Sequence, residues 1–422
     1  MRIGVVGMGA AGCRAAMLLR ERGHTPFLFE ARPRVGGRLQ TVEAGNGFYE
    51  AGGEWIDRDN TRIIALLRQF KQEPHPTQSW PGWVWYGGER SDERTLWPDV
   101  LEDAARIDET ADLMASDLEE VPWDNVTEFA TDQKSLSKFL DEQCRSRRGR
   151  WWQEATQRSD EGDDTDQISL LGWLCGRMNY DGRDEGDMSA FRFPQGAQRF
   201  CEKMVEGISI RHGAILERVE REAGEVNLYF QDHRESFDRV ILTLPPPALR
   251  RIVFDPGLSE DKEAAIAECR MSRTIKISLR FRHAFWEDLG WPGRGMSDGP
   301  IQQFWNASRG DCAVINLYIG GTDALGWLDQ ADPIREACRE LDGLLPGALE
   351  SLSGGDVYNW IDDPYAGGSF SHLAPGYALG PMQAFSRPES GLHFAGEHTS
   401  LWTGYIEGAL ESAERAVKEI LE

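Results

Sequence analysis

Paired cysteines are what this 422-residue sequence most plainly lacks. Its seven cysteines, at 13, 144, 175, 201, 269, 312 and 338, are odd in number, scattered, and nowhere spaced C-x-x-C. That pattern argues against a disulfide framework and a zinc site, so no metal is expected, and it fits a reducing compartment. Apolar runs of the ~18 to 20 residues needed to cross a bilayer are also missing. No signal-peptide pattern precedes the first apolar segment, because Arg2 leads directly into it, and the last helical pattern runs to Glu422 with no apolar tail. Basic residues are scarce: 46 Lys and Arg against 70 Asp and Glu give a formal net charge of −24. This balance speaks against nucleic acid and anionic membranes as partners and favours the approach of small cations, although acidity also confers plain solubility. The expectation is a soluble cytoplasmic protein with no membrane or nucleic-acid partner.

Glycine, by contrast, comes in telling clusters. Gly4-Val5-Val6-Gly7-Met8-Gly9-Ala10-Ala11-Gly12 is a short apolar strand running into G-x-G-x-x-G, followed by a helical composition from Cys13 to Arg20. A second strand, Pro26 to Phe29, ends on Glu30, 18 residues after Gly12. In this arrangement Gly7 permits a tight turn, Gly9 lets a pyrophosphate approach the backbone, and Gly12 lets helix and strand pack closely. The free N–H groups of the helix start then face the phosphates, and Glu30 lies near the spacing at which an acid meets a ribose hydroxyl. A strand before, a helix after and an acid at that distance raise the motif above an ordinary glycine-rich turn.

Further along, Gly36-Gly37 with Arg32, Arg34 and Arg38 can face phosphate, and a strand over 47–51 feeds another pair, Gly52-Gly53. This second cluster suggests a ligand longer than one nucleotide. Residues 59–190 change character: Trp80, Trp83, Trp85, Trp97, Trp123, Trp151, Trp152 and Trp173 crowd in, as core or as pocket. Trp83 to Gly88 reads as a hairpin arm and turn, Val100 to Leu118 and Ser135 to Cys144 as helices, and Ser159 to Asp166 as a charged, mobile loop. Strand signals return at Ile208 to Val219, Val226 to Gln231 and Asp238 to Leu244, the last stopped by three prolines. Thr274 to Phe281 alternates strictly, which marks a half-buried strand with Lys276 on its solvent side. Leu392 to Ala395, the turn Gly396 to Thr399 and the helix opening at Gly404 to Ala409 repeat the geometry of the N-terminus, so both ends converge on one cofactor. The final helix carries an apolar stripe through Ile406, Leu410, Ala413, Val417 and Ile420.

Taken in order, GMGAAG (7–12), FEARPRVGGR (29–38), EAGGEW (50–55), VILTLPPPAL (240–249), TIKISLRFRHAFW (274–286), DPYAGGSF (363–370) and HFAGEHTSLWTGYIEGALESAERA (393–416) resemble the flavin-containing amine oxidase family. That family includes monoamine, polyamine and putrescine oxidases and many L-amino acid oxidases. The resemblance implies an α/β fold. A Rossmann-type, GR2-like FAD-binding domain, discontinuous over 1–58, 191–265 and 376–422, would carry an inserted α+β substrate-binding domain over 59–190 and 266–375.

It also implies FAD, with Gly7, Gly9 and Gly12 at the pyrophosphate, Glu30 on the adenosine ribose, and Arg32 and Arg38 near the phosphates. The backbone of Gly52, Gly53, Glu54 and Trp55 would run beside the flavin, Ile215 would touch the adenine, and Gly396, Glu397 and Ile406 would meet the ribityl and pyrimidine end. Ala10, Ala11, Ala31, Gly37 and Trp360 complete the cofactor set. The positive end of the final helix would stabilise negative charge on the reduced ring. In the family a lysine on the strand matching Thr274 to Phe281 holds a water against flavin N5, which makes Lys276 the critical residue and overrides its solvent-facing periodicity. Phe370 and Tyr405 match the aromatic pair that sandwiches substrate. Ser369 stands where mammalian monoamine oxidases carry the cysteine tethered to flavin, so the FAD here should be noncovalent.

The reaction so implied is hydride transfer from the amine-bearing carbon to flavin N5, hydrolysis of the imine to an aldehyde or keto product plus ammonia, and reoxidation by O2 to hydrogen peroxide. The partners expected are a small-molecule amine and O2, with a homodimer left open. Gly52-Gly53-Glu54-Trp55 lacks the G-x-M-R pattern of many L-amino acid oxidases, which favours an aromatic monoamine or polyamine. An L-amino acid oxidase remains the alternative, because Arg90 or Arg192 could grip a carboxylate. A flavoenzyme that desaturates carbon–carbon bonds is a further alternative, with a long apolar cavity and no position for Lys276. A scaffold with structural FAD is the third.

Overall fold

The computed structural model describes residues 1–77, 82–178, 188–222 and 224–422; Trp80 lies outside them. Five short strands form one parallel sheet in the order Ile210–His212, Phe27–Glu30, Ile3–Val6, Arg239–Leu242, Leu392–Phe394. Such strands must be apolar on both faces, because helices cover one side and a four-stranded sheet with short helices covers the other. Val5 and Ile241 face a cluster that includes the helices Ala10–Glu21 and Ile406–Leu421, while Val6, Val240 and Leu242 face a second cluster on the other side. The sheet therefore brings the first, middle and last parts of the chain to one edge.

Ile208 to Val219, read as one alternating run, divides between two sheets. Ile210–His212 joins the parallel sheet, whereas Leu216–Glu222 pairs with Glu225–Phe230 and Val253–Asp255 in a four-stranded neighbour. The three prolines after Leu244 do stop a strand, and they open the short helix Pro246–Leu249; proline is tolerated in a first helical turn, where its missing N–H is no loss.

The largest sheet has seven strands, in the order Leu352–Asn359, Thr274–Phe281, Val314–Gly320, Gln303–Asn306, Arg294–Ser297, Trp83–Tyr86, Glu89–Asp92. Trp83–Tyr86 and Glu89–Asp92 form the expected hairpin. Thr274–Phe281 is not half-buried. Ile275, Ile277, Leu279 and Phe281 pack on Trp85, Phe304 and their neighbours, but Thr274, Lys276 and Ser278 are buried as well. The polar side of this strand faces an interior rather than water, so alternation reported two environments and misnamed one of them.

Helices Pro98–Ala115, Leu136–Gln143, Arg147–Glu161 and Leu170–Met178 make up much of residues 98–178. The supposed mobile loop at 159–166 is instead the end of a helix and its cap. Ser146 accepts from Gly149 N at 2.8 Å at the start, and Gly162, at φ 71, closes the end in the left-handed conformation. Asp163 is then buried against Arg273, whose Nε donates to both carboxylate oxygens at 3.0 Å. The partner that orders this acidic stretch is 110 residues away, beyond the reach of any local pattern.

Candidate active site

One cavity of about 2070 Å³ runs from the edge of the parallel sheet to the polar face of Thr274–Phe281. Every cofactor or catalytic residue named from the sequence lines it except Gly12. A Cβ on Gly12 would lie 1.8 Å from the Gly7 carbonyl oxygen, so this glycine serves the contact between strand and helix. Gly9 is different: a Cβ there would meet nothing closer than 3.9 Å and would project into open space. Protein packing alone does not require glycine at that position.

Beside this turn, Glu30 is buried and its carboxylate accepts from Met8 N at 2.7 Å and Arg32 N at 2.8 Å. Glu30 is thereby fixed at the strand end with Ala31 at the cavity wall. Ala214 N donates to Glu30 O at 3.0 Å and sets Ile215 on the same wall. Arg32 pairs with Asp363 and lies 5.1 Å over the Tyr365 ring. Arg34 does not face phosphate: its guanidinium turns back onto the carbonyls of Val35, Gly37 and Leu39, bracing the Gly36-Gly37 loop.

Arg38 crosses to the C-terminal segment, donating to Glu397 Oε1 at 2.7 Å and to Ser369 O at 3.1 Å. Glu397 also accepts from Ser371 Oγ at 2.6 Å and Gly404 N at 2.7 Å. Burial by itself would raise this carboxyl, but Arg38, His398 and Ser371 outweigh it and hold it down at about 2. Through Gly404, Glu397 fixes the start of the last helix, where Tyr405 and Ile406 enter the cavity. The Phe370 ring packs against Gly404 and against Gly162, where added Cβ atoms would come within 3.0 and 2.6 Å of it. Trp360 donates its Nε1 to Ala51 O at 3.1 Å and so braces Gly52 and Gly53.

Opposite those glycines sits Lys276. Its Nζ donates to Gly52 O and to Glu54 Oε1, both at 2.7 Å, and it is only 7% exposed. Tyr318 and Tyr358 are its direct cross-strand neighbours. Ser369 Oγ pairs with Thr274 Oγ1. Neither Arg90 nor Arg192 lines the cavity: Arg90 lies 3.9 Å over Trp83, and Arg192 stacks 4.2 Å over Trp55 and donates to Asn306 O at 3.1 Å.

Several wall residues escaped the sequence reading. Asp160 and Glu161 end their helix at the cavity, Asp160 open to its space and Glu161 half-buried, and desolvation by the surrounding protein pushes their carboxyls up to about 6 and about 7, with Asp160 adding to the rise of Glu161. Their only local signal was charge, which read as solvent. Arg294, Gln303, Trp305 and Tyr318 also line the cavity. Burial lowers Arg294 to about 10 despite Glu93 and Asp160 nearby. These four lie on strands whose sequences gave no sign of which face turns inward.

The comparisons agree with this geometry. Residues 10–421 match the model of the flavin containing amine oxidoreductase family. The chain is 25% identical to amine oxidase [flavin-containing] A of Equus caballus, over 99% of this chain and 84% of the relative, and 25% identical to human amine oxidase [flavin-containing] B, over 99% and 85%. Among solved structures it resembles cyclohexylamine oxidase from Brevibacterium oxydans IH-35A, with TM-score 0.88, 23% identity and coverage of 99% and 98%. It also resembles wild-type putrescine oxidase bound to putrescine, with TM-score 0.89, 21% identity and coverage of 100% and 98%. A strand and glycine turn at one end, a glycine turn and helix at the other, and a buried lysine between them thus belong to a chain of the flavin-containing amine oxidoreductase family.

Proposed function

We propose that this protein is an FAD-dependent oxidase of amines that holds its flavin noncovalently. The observation that carries the reading is Lys276, buried on the polar face of its strand and set against Gly52 in the cavity that both glycine turns share. Gly9 supports the fit, since its bare Cα leaves room that only a bound group would use. Ser369 supports noncovalent binding: its hydroxyl is engaged by Thr274 and offers no thiol. Arg32 and Arg38, each already paired with a carboxylate, would meet the phosphates as ion pairs rather than as free cations. Held by Gly7, Gly9, Glu30, Arg32 and Arg38 at one end and by the segments at Gly52 and Gly396 at the other, FAD would supply the two-electron acceptor for oxidation of the amine-bearing carbon, with O2 as the final acceptor and hydrogen peroxide as its product.

The chain's own residues do the rest. Asp160 and Glu161 draw in the cationic amine and can accept the proton that it sheds to become oxidisable. Phe370 and Tyr405 orient it and exclude water, and Lys276 directs an N–H toward the reacting edge. Two acids on the wall, with Arg90 and Arg192 turned elsewhere, favour an aromatic monoamine or a polyamine. Arg294, half-buried at the same wall, is the specific observation favouring an L-amino acid, whose carboxylate it would meet. A carbon–carbon desaturase is disfavoured by so many charges lining the cavity. Anaerobic mixing with monoamines, diamines and L-amino acids separates these readings: bleaching of flavin absorbance by simple amines supports the first, and bleaching by amino acids alone overturns it.

A further inference from the structure

Glu54 is an acidic side chain sealed from bulk water and held between two cations. It is 2% exposed. Its Oε1 accepts from Lys276 Nζ at 2.7 Å and from Trp305 Nε1 at 3.2 Å, and its Oε2 lies 3.6 Å from Arg192 Nε. Arg192 is itself held by the Trp55 ring and by Asn306 O. Lys276 Nζ lies 5.1 Å over the Trp305 ring, so the indole touches both members of the pair. An ammonium has three N–H bonds. Gly52 O and Glu54 Oε1 take two of them, and these two directions fix where the third points.

The geometry points to Glu54 as the positioning residue of Lys276, the group that clamps its ammonium and aims its remaining N–H into the cavity. This inference rests on the reading of Lys276 as the residue at the flavin's reactive edge. The other charged or titratable groups around the pair do not replace Glu54. Glu50, on the strand Asn46–Glu50, is pushed up to about 8 by burial first and by Glu54 second, so it is a neutral acid at neutral pH. Arg192, 3.6 Å from Glu54, and Arg309, which lies over the Phe48 ring, are cations and cannot accept from Lys276. Tyr318 and Tyr358 flank Lys276 with phenols that burial raises, and they stay neutral.

The test uses the holoenzyme and its Glu54→Gln, Glu54→Ala, Lys276→Met and Glu54→Gln/Lys276→Met variants. Brief acetylation with acetic anhydride at mildly alkaline pH, read by mass spectrometry, reports how freely the Lys276 amine reacts against exposed Lys71. Without the clamping carboxylate at 2.7 Å the amine is released, so Glu54→Gln raises the relative labelling of Lys276 about tenfold. In rapid mixing, Glu54→Gln slows the same half-reaction as Lys276→Met, Glu54→Ala slows it more, and the double variant is no slower than Lys276→Met alone. Labelling of Lys276 within twofold of wild type, or rate losses that multiply in the double variant, overturns the assignment. The glutamine is isosteric and keeps the packing if the alanine fails to fold. A wild-type protein that takes up no FAD would defeat the functional proposal instead, while the labelling comparison would still decide the role of Glu54.

Discussion

Arg38 and Glu397 are 359 residues apart in the chain and meet at 2.7 Å, joining the loop after the second strand to the turn before the last helix. The pair is mostly buried, and Ser371 and Gly404 satisfy the remaining oxygen of Glu397. Glu397 therefore carries a measurable pH dependence. Its folded pKa, about 2, is below the ordinary 4.5, so its contribution is present above about pH 4.5 and is lost as pH falls toward 2. Urea unfolding of the wild type should weaken over that window by about 3 kcal/mol more than that of Glu397→Gln. Equal slopes in the two proteins would show that the pair does not stabilise the fold.

Glu50 should behave in the opposite sense. Its folded pKa is raised to about 8 by burial, so its contribution is intact below the unfolded value and drains away as pH rises through 8. Glu50→Gln retains the acceptor for Ala197 N and Thr41 Oγ1 without the charge. The variant should match wild type in thermal midpoint below about pH 4.5, gain on it progressively as pH rises toward 8, and exceed it by several degrees near pH 9.

Gly9 and Gly12 separate cofactor retention from folding. Gly9→Val sets its Cβ no closer than 3.9 Å to any protein atom, so the chain should fold with stability within about 1 kcal/mol of wild type and be purified colourless. Gly12→Ala sets a methyl 1.8 Å from a carbonyl oxygen and should lower the unfolding midpoint sharply or prevent folding. Yellow Gly9→Val protein would place the pyrophosphate elsewhere.

Asp160 and Glu161 should govern the affinity for cations. A quaternary alkylammonium inhibitor cannot change its own charge, so its inhibition constant reports the cavity wall. It should bind about tenfold more weakly to Asp160→Asn than to wild type. In wild type, binding should weaken as pH falls through about 7 and then about 6, because protonation removes both negative charges.

The N-terminal motif was legible because each of its glycines answers a short-range need and its acid sits at a fixed spacing. The hairpin at Trp83 and the last helix were legible from turn chemistry and periodicity. What could not be read was burial that depends on a distant partner. Thr274, Lys276 and Ser278 look exposed by period, yet the facing wall comes from residues 49–54, over 220 positions earlier. Asp163 looked mobile until Arg273 reached it. Glu54 fell among the cofactor residues through its backbone, and nothing in its neighbours announced that its side chain would meet Lys276.

The order of strands in the parallel sheet has a consequence for biosynthesis. Arg239–Leu242 lies beside Leu392–Phe394, but about 150 residues must be translated between them, a separation that slows pairing. Until the later strand emerges from the ribosome, the earlier one presents an unsatisfied edge to any chain nearby. A chaperone that shields nascent strands, or early arrival of the cofactor, would thus matter most during that interval.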